Sequence, residues 1–195
     1  MFRNKKYASP LAAVLAASAL SLASSSAVAA VVCNNTGFAI PQTGDGIYFN
    51  LVTGASGTTG SAVDGFDLNL YGTTRLQAYS GADVSENNAL AGTVVAGSNN
   101  DLYFVMTNGQ PIDGSVSWTS ESGAMTNWNT GVAGGYLGIR FDNEATGAIN
   151  FGWLQITTTG PNGFPANVTA YCYENTGAAI NAGTTPVSLQ NFSID

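Results

Sequence analysis

The 195-residue chain carries five Lys and Arg against twelve Asp and Glu, no His and 24 Gly, for a formal net charge of −7. An acidic chain repels phosphate backbones and anionic lipid, which excludes nucleic acid as a partner and leaves no basic patch for a membrane surface. Without His there is no Ser–His or Cys–His nucleophile pair, and zinc loses its commonest nitrogen ligand.

Arg3, Lys5 and Lys6 precede an apolar stretch from Ala8 to Ala23, and Ala27-Val28-Ala29 follows as an A-x-A cleavage signal. Residues 1–30 therefore read as a secretory signal peptide. The apolar stretch is short and interrupted by Ser9, Pro10, Ser18 and Ser21, which argues against stable membrane insertion. Residues 31–195 are expected to be one domain, secreted or held at the cell surface. They keep all twelve acids but only Arg75 and Arg140, a balance of −10.

Cys33 opens that domain and Cys172 lies near its end. An even cysteine count in an exported chain implies a disulfide, and one closing so long a loop is worth about 4–5 kcal/mol. A redox pair would need a thiolate in an electropositive setting, which two arginines do not supply.

Short strand-forming runs then alternate with Gly, Ser, Thr and Asn turns. They are Ile47–Val52, Phe66–Tyr71, Arg75–Tyr79, Asp101–Met106, Ser115–Trp118, Tyr136–Asp142, Ile149–Thr158, Val168–Glu174 and Val187–Ile194. Within Ser80–Gly97 the run ALAGTVV is a candidate for one more. No amphipathic helix is expected after the signal peptide. This spacing predicts an all-β fold, an antiparallel β-sandwich that is jelly-roll-like and closed by one long-range disulfide.

The most regular stretch is GYLGIRFDNEATGAINFGWLQI, from Gly135 to Ile156. Leu137, Ile139 and Phe141 alternate with Tyr136, Gly138 and Arg140, so the two sets face opposite ways. DNEATGA turns the chain, with Asn and Gly able to take positive φ. In the returning strand Ile149, Phe151 and Trp153 share one face while Leu154 and Ile156 take the other. That pattern predicts a bulge, or a strand buried on both sides.

Two constellations stand out as candidate sites. Asp64 and Asp67, with Asp142 and Glu144, offer hard oxygen ligands near Gly turns and make calcium the candidate metal, with no other cofactor expected. The same carboxylates lack any glycosidase spacing, so polysaccharide hydrolysis is the least favoured reading and the chain is expected not to be an enzyme. Trp118 and Trp128 bracket the polar loop TSESGAMTN, and Trp128, with no strand pattern around it, is a candidate exposed ring for sugar. Trp153 is expected in the core.

At Phe151-Gly152-Trp153, then Ala170-Tyr171-Cys172-Tyr173-Glu174 and Gly177 through Ile180 to Gly183, the chain resembles exported bacterial proteins found with PEP-CTERM-type anchors. GIYFNLVTG and GFDLNLYG are similar to earlier segments of the same proteins. The resemblance implies a surface or secreted protein with no catalytic residues to carry over. Its link with exopolysaccharide producers implies a matrix role, with polysaccharide or surface proteins as partners. Those proteins end in a Pro-Glu-Pro motif, an apolar helix and a basic tail. Here TTPVSLQNFSID alternates polar and apolar and predicts a last strand instead, so tethering is not implied.

The expected function is thus a non-enzymatic protein of the extracellular matrix or envelope. A carbohydrate-binding module is the alternative.

Overall fold

The computed structural model describes residues 30–94 and 102–186. The expected signal peptide up to residue 29, Asp101 and the expected strand Val187–Ile194 lie outside these residues. Strands follow in chain order as β1 (Val31–Asn34), β2 (Phe38–Ile40), β3 (Ile47–Phe49), β4 (Ser56–Gly57), β5 (Leu68–Tyr71) and β6 (Gln77–Tyr79). Next come β7 (Ala89–Thr93), β8 (Leu102–Tyr103), β9 (Pro111–Ile112), β10 (Trp118–Thr119) and β11 (Gly123–Ala124). A single helical turn, α1 (Thr126–Asn129), precedes the long strands β12 (Gly135–Asn143), β13 (Ala148–Thr158) and β14 (Ala166–Glu174), and β15 (Ile180–Asn181) comes last.

Every pairing is antiparallel. The large sheet runs β1-β14-β13-β12-β7-β10, with β2 on β14 and β8 on β7, and the small sheet runs β11-β6-β5-β3-β4. The chain leaves the large sheet after β2 and returns at β7, leaves at β9 for a two-stranded sheet with β15, returns at β10, leaves at β11 and comes back at β12. Phe49, Leu68, Leu70 and Ala78 of the small sheet pack into one core with Leu90, Leu137, Ile139, Phe141, Leu154 and Ile156 of the large one. The result is a sandwich. Each such Leu, Ile or Phe contributes about 1.5–3 kcal/mol by leaving water.

The predicted hairpin forms in full register, from Gly135 opposite Ile156 to Asn143 opposite Ala148. Its turn departs from expectation in one detail. Gly147 takes φ +68, but Asn143 does not, and instead its Oδ1 accepts from the Ala145 N–H at 3.0 Å. The double-sided burial of β13 is real, because its outer face also packs. Trp153 joins Ala91, Met106, Ile112, Cys172, Ile180 and Ala182 in a second cluster, against which Phe151 and Tyr136 pack. Segments around β9 and β15 supply part of that cover.

Of the two expected alternatives β13 itself takes the double-sided burial, and the bulge lies instead on its partner β14. Gln155 faces Ala170 while Ile156 faces Val168, so Thr169 is left over. That extra residue lets Val168 and Tyr171, three positions apart, both point into the same core.

Cys33 and Cys172 form the expected disulfide, 139 residues apart in sequence and directly opposed in the β1–β14 register. No helix of the described residues is long and apolar enough to cross a membrane.

Five strand expectations shorten, Arg75–Tyr79 to Gln77–Tyr79 and Asp101–Met106 to Leu102–Tyr103 among them. The run from Ile47 stops at Phe49, because the Asn50 side chain accepts the Thr53 N–H at 2.8 Å and folds the chain into a turn. The run from Phe66 begins pairing as a strand only at Leu68. Of Ser115–Trp118 only Trp118 enters a strand, since Asp113 accepts from both the backbone and the hydroxyl of Ser115 in a tight loop. The candidate run ALAGTVV does form β7, over Ala89–Thr93.

Candidate functional site

The two tryptophans proposed as a pair do not share a site. Trp128 is fully buried, which corrects its reading as an exposed sugar-binding ring. The residues Thr126–Asn129 make one helical turn, with the Trp128 N–H donating to the Met125 carbonyl at 2.9 Å, and this turn drops the indole into the main core. The Trp128 carbonyl accepts from the Thr158 hydroxyl at 2.6 Å, fixing the turn to β13. Trp118 is half-buried on the far face of the large sheet. Its ring stacks on Phe151 with centroids 5.9 Å apart, and the Arg140 guanidinium lies 5.6 Å from its centroid. Its Nε1 donates to the Asp113 carbonyl at 3.2 Å. The ring is engaged by the protein itself. Trp153 is 2 % exposed, in the core as expected.

The four acids divide differently from their sequence pairing. Asp64 and Glu144 meet at the rim of a depression of about 550 Å³ that Asn50, Val52 and Thr53 also line. Asn50 ties them together: its Nδ2 donates to Glu144 Oε1 at 2.9 Å and to the carbonyls of Gly65 and Asp64 at 2.8 and 3.3 Å. Asp142 turns away from this corner, accepting from the Ser85 hydroxyl and the Asn87 amide on the approach to β7.

Asp67 lies beneath the surface, 1 % exposed, with Oδ2 accepting the Leu51 N–H at 2.7 Å and Oδ1 unpartnered. Burial pushes its carboxyl up to about 8, the negative charges of Glu144 and Asp142 push the same way, and the Leu51 N–H opposes them. A neutral, enclosed acid neither ligates a cation nor reaches a substrate. Among the described residues no group of three or more His, Cys, Asp and Glu side chains is placed to hold a metal ion.

A third place escaped the sequence reading. On the small sheet Leu68, Leu70 and Ala78 point into the core, so Tyr48, Asn69, Tyr71 and Tyr79 point outward. The register sets Tyr48 opposite Asn69 and Asn69 opposite Tyr79, one row across three strands. With Tyr71, Gly44 and Ser122 they line a cleft of about 290 Å³. Tyr71 and Ser122 share a hydrogen bond of 2.7 Å across it. The Tyr79 hydroxyl donates to Asp83 Oδ1 at 2.5 Å and accepts the Asp83 N–H at 2.8 Å. The Asn69 amide donates to the Asp45 carbonyl at 2.8 Å. Phe66 meets Tyr48 edge-on at 4.8 Å and braces Tyr79 at 6.4 Å.

A second hollow lies beyond Tyr79. Phe66 and Asp83, which hold Tyr79, line this separate depression of about 520 Å³, and that one shares Asp64 and Gly65 with the Asn50 corner. Tyr79 separates the tyrosine cleft from this depression, touching Phe66 and Asp83 on its far side. The signal for the cleft lay in the alternation of IYF, LNLY and QAY, whose outward positions hold rings and an amide where solvent-facing charges would be ordinary.

No family model, no curated protein and no solved structure matches the chain.

Proposed function

We propose that this chain is exported and acts outside the cell as a non-enzymatic structural or interaction protein of the extracellular matrix or envelope. The observation that carries the reading is the disulfide joining β1 to β14. Such a bond persists in an oxidising compartment and is reduced in the cytosol. The basic and apolar leader with its A-x-A signal supports the same route. So does the resemblance of the segments from Phe151 to Gly183 to exported bacterial proteins. The non-enzymatic part rests on the acids: Asp67 is enclosed and Asp142 is held by Ser85 and Asn87, so neither works beside a partner carboxylate.

Cell fractionation of the producing organism tests this. The expected result is a protein in the extracellular or envelope fraction, beginning near residue 30, whose cysteines resist alkylation until reduced. A full-length cytoplasmic protein with two free thiols would overturn it, as would cleavage of any polysaccharide that depends on Asp142 or Glu144.

The second reading, a carbohydrate-binding module, is favoured by the outward row of Tyr48, Asn69 and Tyr79, and no longer by Trp128.

A further inference from the structure

We infer that the hollow over the small sheet is a binding groove for an uncharged polysaccharide chain, with Tyr48 and Tyr71 as its aromatic contacts. The inference rests on the extracellular reading above and gives that reading a ligand class and a site.

A pyranose presents an apolar C–H face and a rim of hydroxyls, so it is held by an aromatic ring together with fixed polar groups. The cleft offers both. Tyr48 and Tyr71 are half-buried, so parts of their rings face water. The Tyr48 hydroxyl has no hydrogen-bond partner among the described residues. The Tyr71–Ser122 pair stands ready to exchange one bond for contacts to a sugar hydroxyl. Tyr79 is held by Asp83 and Phe66 and forms the wall.

Length favours a polymer over a single sugar. Tyr48 and Tyr79 lie on strands flanking β5, their backbones roughly 10 Å apart, close to the span of two sugar rings in a chain. Beyond the Tyr79 wall, Phe66 and Asp83 line the next depression, which a longer chain reaches by crossing Tyr79.

Charge selects the class. Asp83 is bonded to the Tyr79 wall, Asp64 and Asp83 line the next depression, and no Lys or Arg lines either hollow. Carboxylates accept hydrogen bonds from sugar hydroxyls but repel uronate, sulfate and phosphate groups. Acidic glycans are therefore excluded and neutral ones fit.

The test is calorimetric titration of the mature, oxidised protein with neutral hexaoses of glucose, mannose, galactose and xylose, beside polygalacturonate as the acidic probe. The expected result is saturable binding of at least one neutral hexaose, tighter than its disaccharide, and no binding of polygalacturonate. Tyr48→Ala and Tyr71→Ala should each weaken it by about tenfold, as the loss of one aromatic anchor does, with thermal unfolding unchanged. Should those variants fold poorly, Gly44→Gln serves in their place. A Cβ at Gly44 meets nothing within 4 Å, so the new side chain fills the mouth without disturbing the fold.

Failure of every neutral hexaose to bind, tighter binding of polygalacturonate, or unchanged affinity in all three variants would overturn the groove. Any of these, with the protein still extracellular and oxidised, leaves the reading beneath it intact. A reduced cytoplasmic protein would instead overturn that reading.

Discussion

The Asp67 carboxyl accepts the Leu51 N–H through one oxygen and leaves the other with no partner among the described residues, in a place almost free of solvent. An ionised carboxylate there would be an uncompensated buried charge. The protein avoids it by holding Asp67 protonated up to a pH of about 8.

The stability of the fold should therefore fall as pH rises. Below the ordinary carboxyl value of 3.8 Asp67 is protonated in both states and contributes no slope. Between there and about 8 the unfolded chain has released the proton while the folded one keeps it, so unfolding gains with each pH step. Above that both forms are ionised and the loss is complete. The full span amounts to several kcal/mol, on the order of 1.4 per unit. Asp67→Asn keeps an acceptor for Leu51 and cannot ionise. Thermal midpoints measured from pH 4 to 9 should fall less steeply in the variant, the curves separating most at the alkaline end. Parallel curves would place the ionised acid outside the energetics of folding.

The disulfide lends itself to a second measurement. Among the described residues β1 pairs only with β14, and the covalent bond sits within that four-residue register. Replacing both Cys33 and Cys172 by Ala should lower stability by about 4–5 kcal/mol through the freedom returned to the unfolded chain. For a chain of this size that is a drop of about 10–15 °C in the midpoint. Scanning calorimetry of the double variant checks it, and a shift under a few degrees would mean that β1 contributes little once docked.

Trp128 and Trp118 should separate cleanly in mutagenesis. Trp128→Ala empties a fully enclosed site and should cost about 3–5 kcal/mol, with no loss of binding to any ligand beyond that due to unfolding. Trp118→Ala removes a half-exposed ring stacked on Phe151 and should cost about 1–2 kcal/mol. Urea titration of both variants gives the order, and a reversed order would contradict the packing.

How much of this was readable in advance depends on whether the signal is local. The β12–β13 hairpin was legible because Leu137, Ile139 and Phe141 alternate with Gly138 and Arg140 over many residues. The inward placement of Trp128 was not, since one helical turn between Asn127 and Asn129 carries no period. Strands of two or three residues, such as β4, β9 and β15, are set by the partners they meet and leave no pattern of their own. Thr169 is similar: nothing in VTAYCYE announces that this residue is skipped by the register. The tyrosine row needed the register as well. Tyr48 and Tyr79 are 31 positions apart and become neighbours of Asn69 only once β3, β5 and β6 are aligned.

Gly46 is where that alignment is most vulnerable. It takes φ +59, in the left-handed region, and its Cα faces β5 so closely that a Cβ would overlap the Leu70 carbonyl and the Tyr71 Cα. Its N–H is held by the Thr43 hydroxyl at 3.0 Å, which fixes the entry into β3. Gly46→Ala adds roughly 1–2 kcal/mol of left-handed strain to a backbone clash that only movement of β3 away from β5 can relieve. The expected loss is about 2–4 kcal/mol in chemical denaturation, together with slower-protected or lost amide exchange protection at Tyr48 and Leu70. Since Tyr48 would move with β3, binding in the groove should weaken even at temperatures where the variant remains folded. Gly44→Ala, two residues earlier and in open space, is the control: it should leave stability within about 0.5 kcal/mol of the parent. Equal behaviour of the two variants would show that the approach of Gly46 to Tyr71 does not set the register of the small sheet.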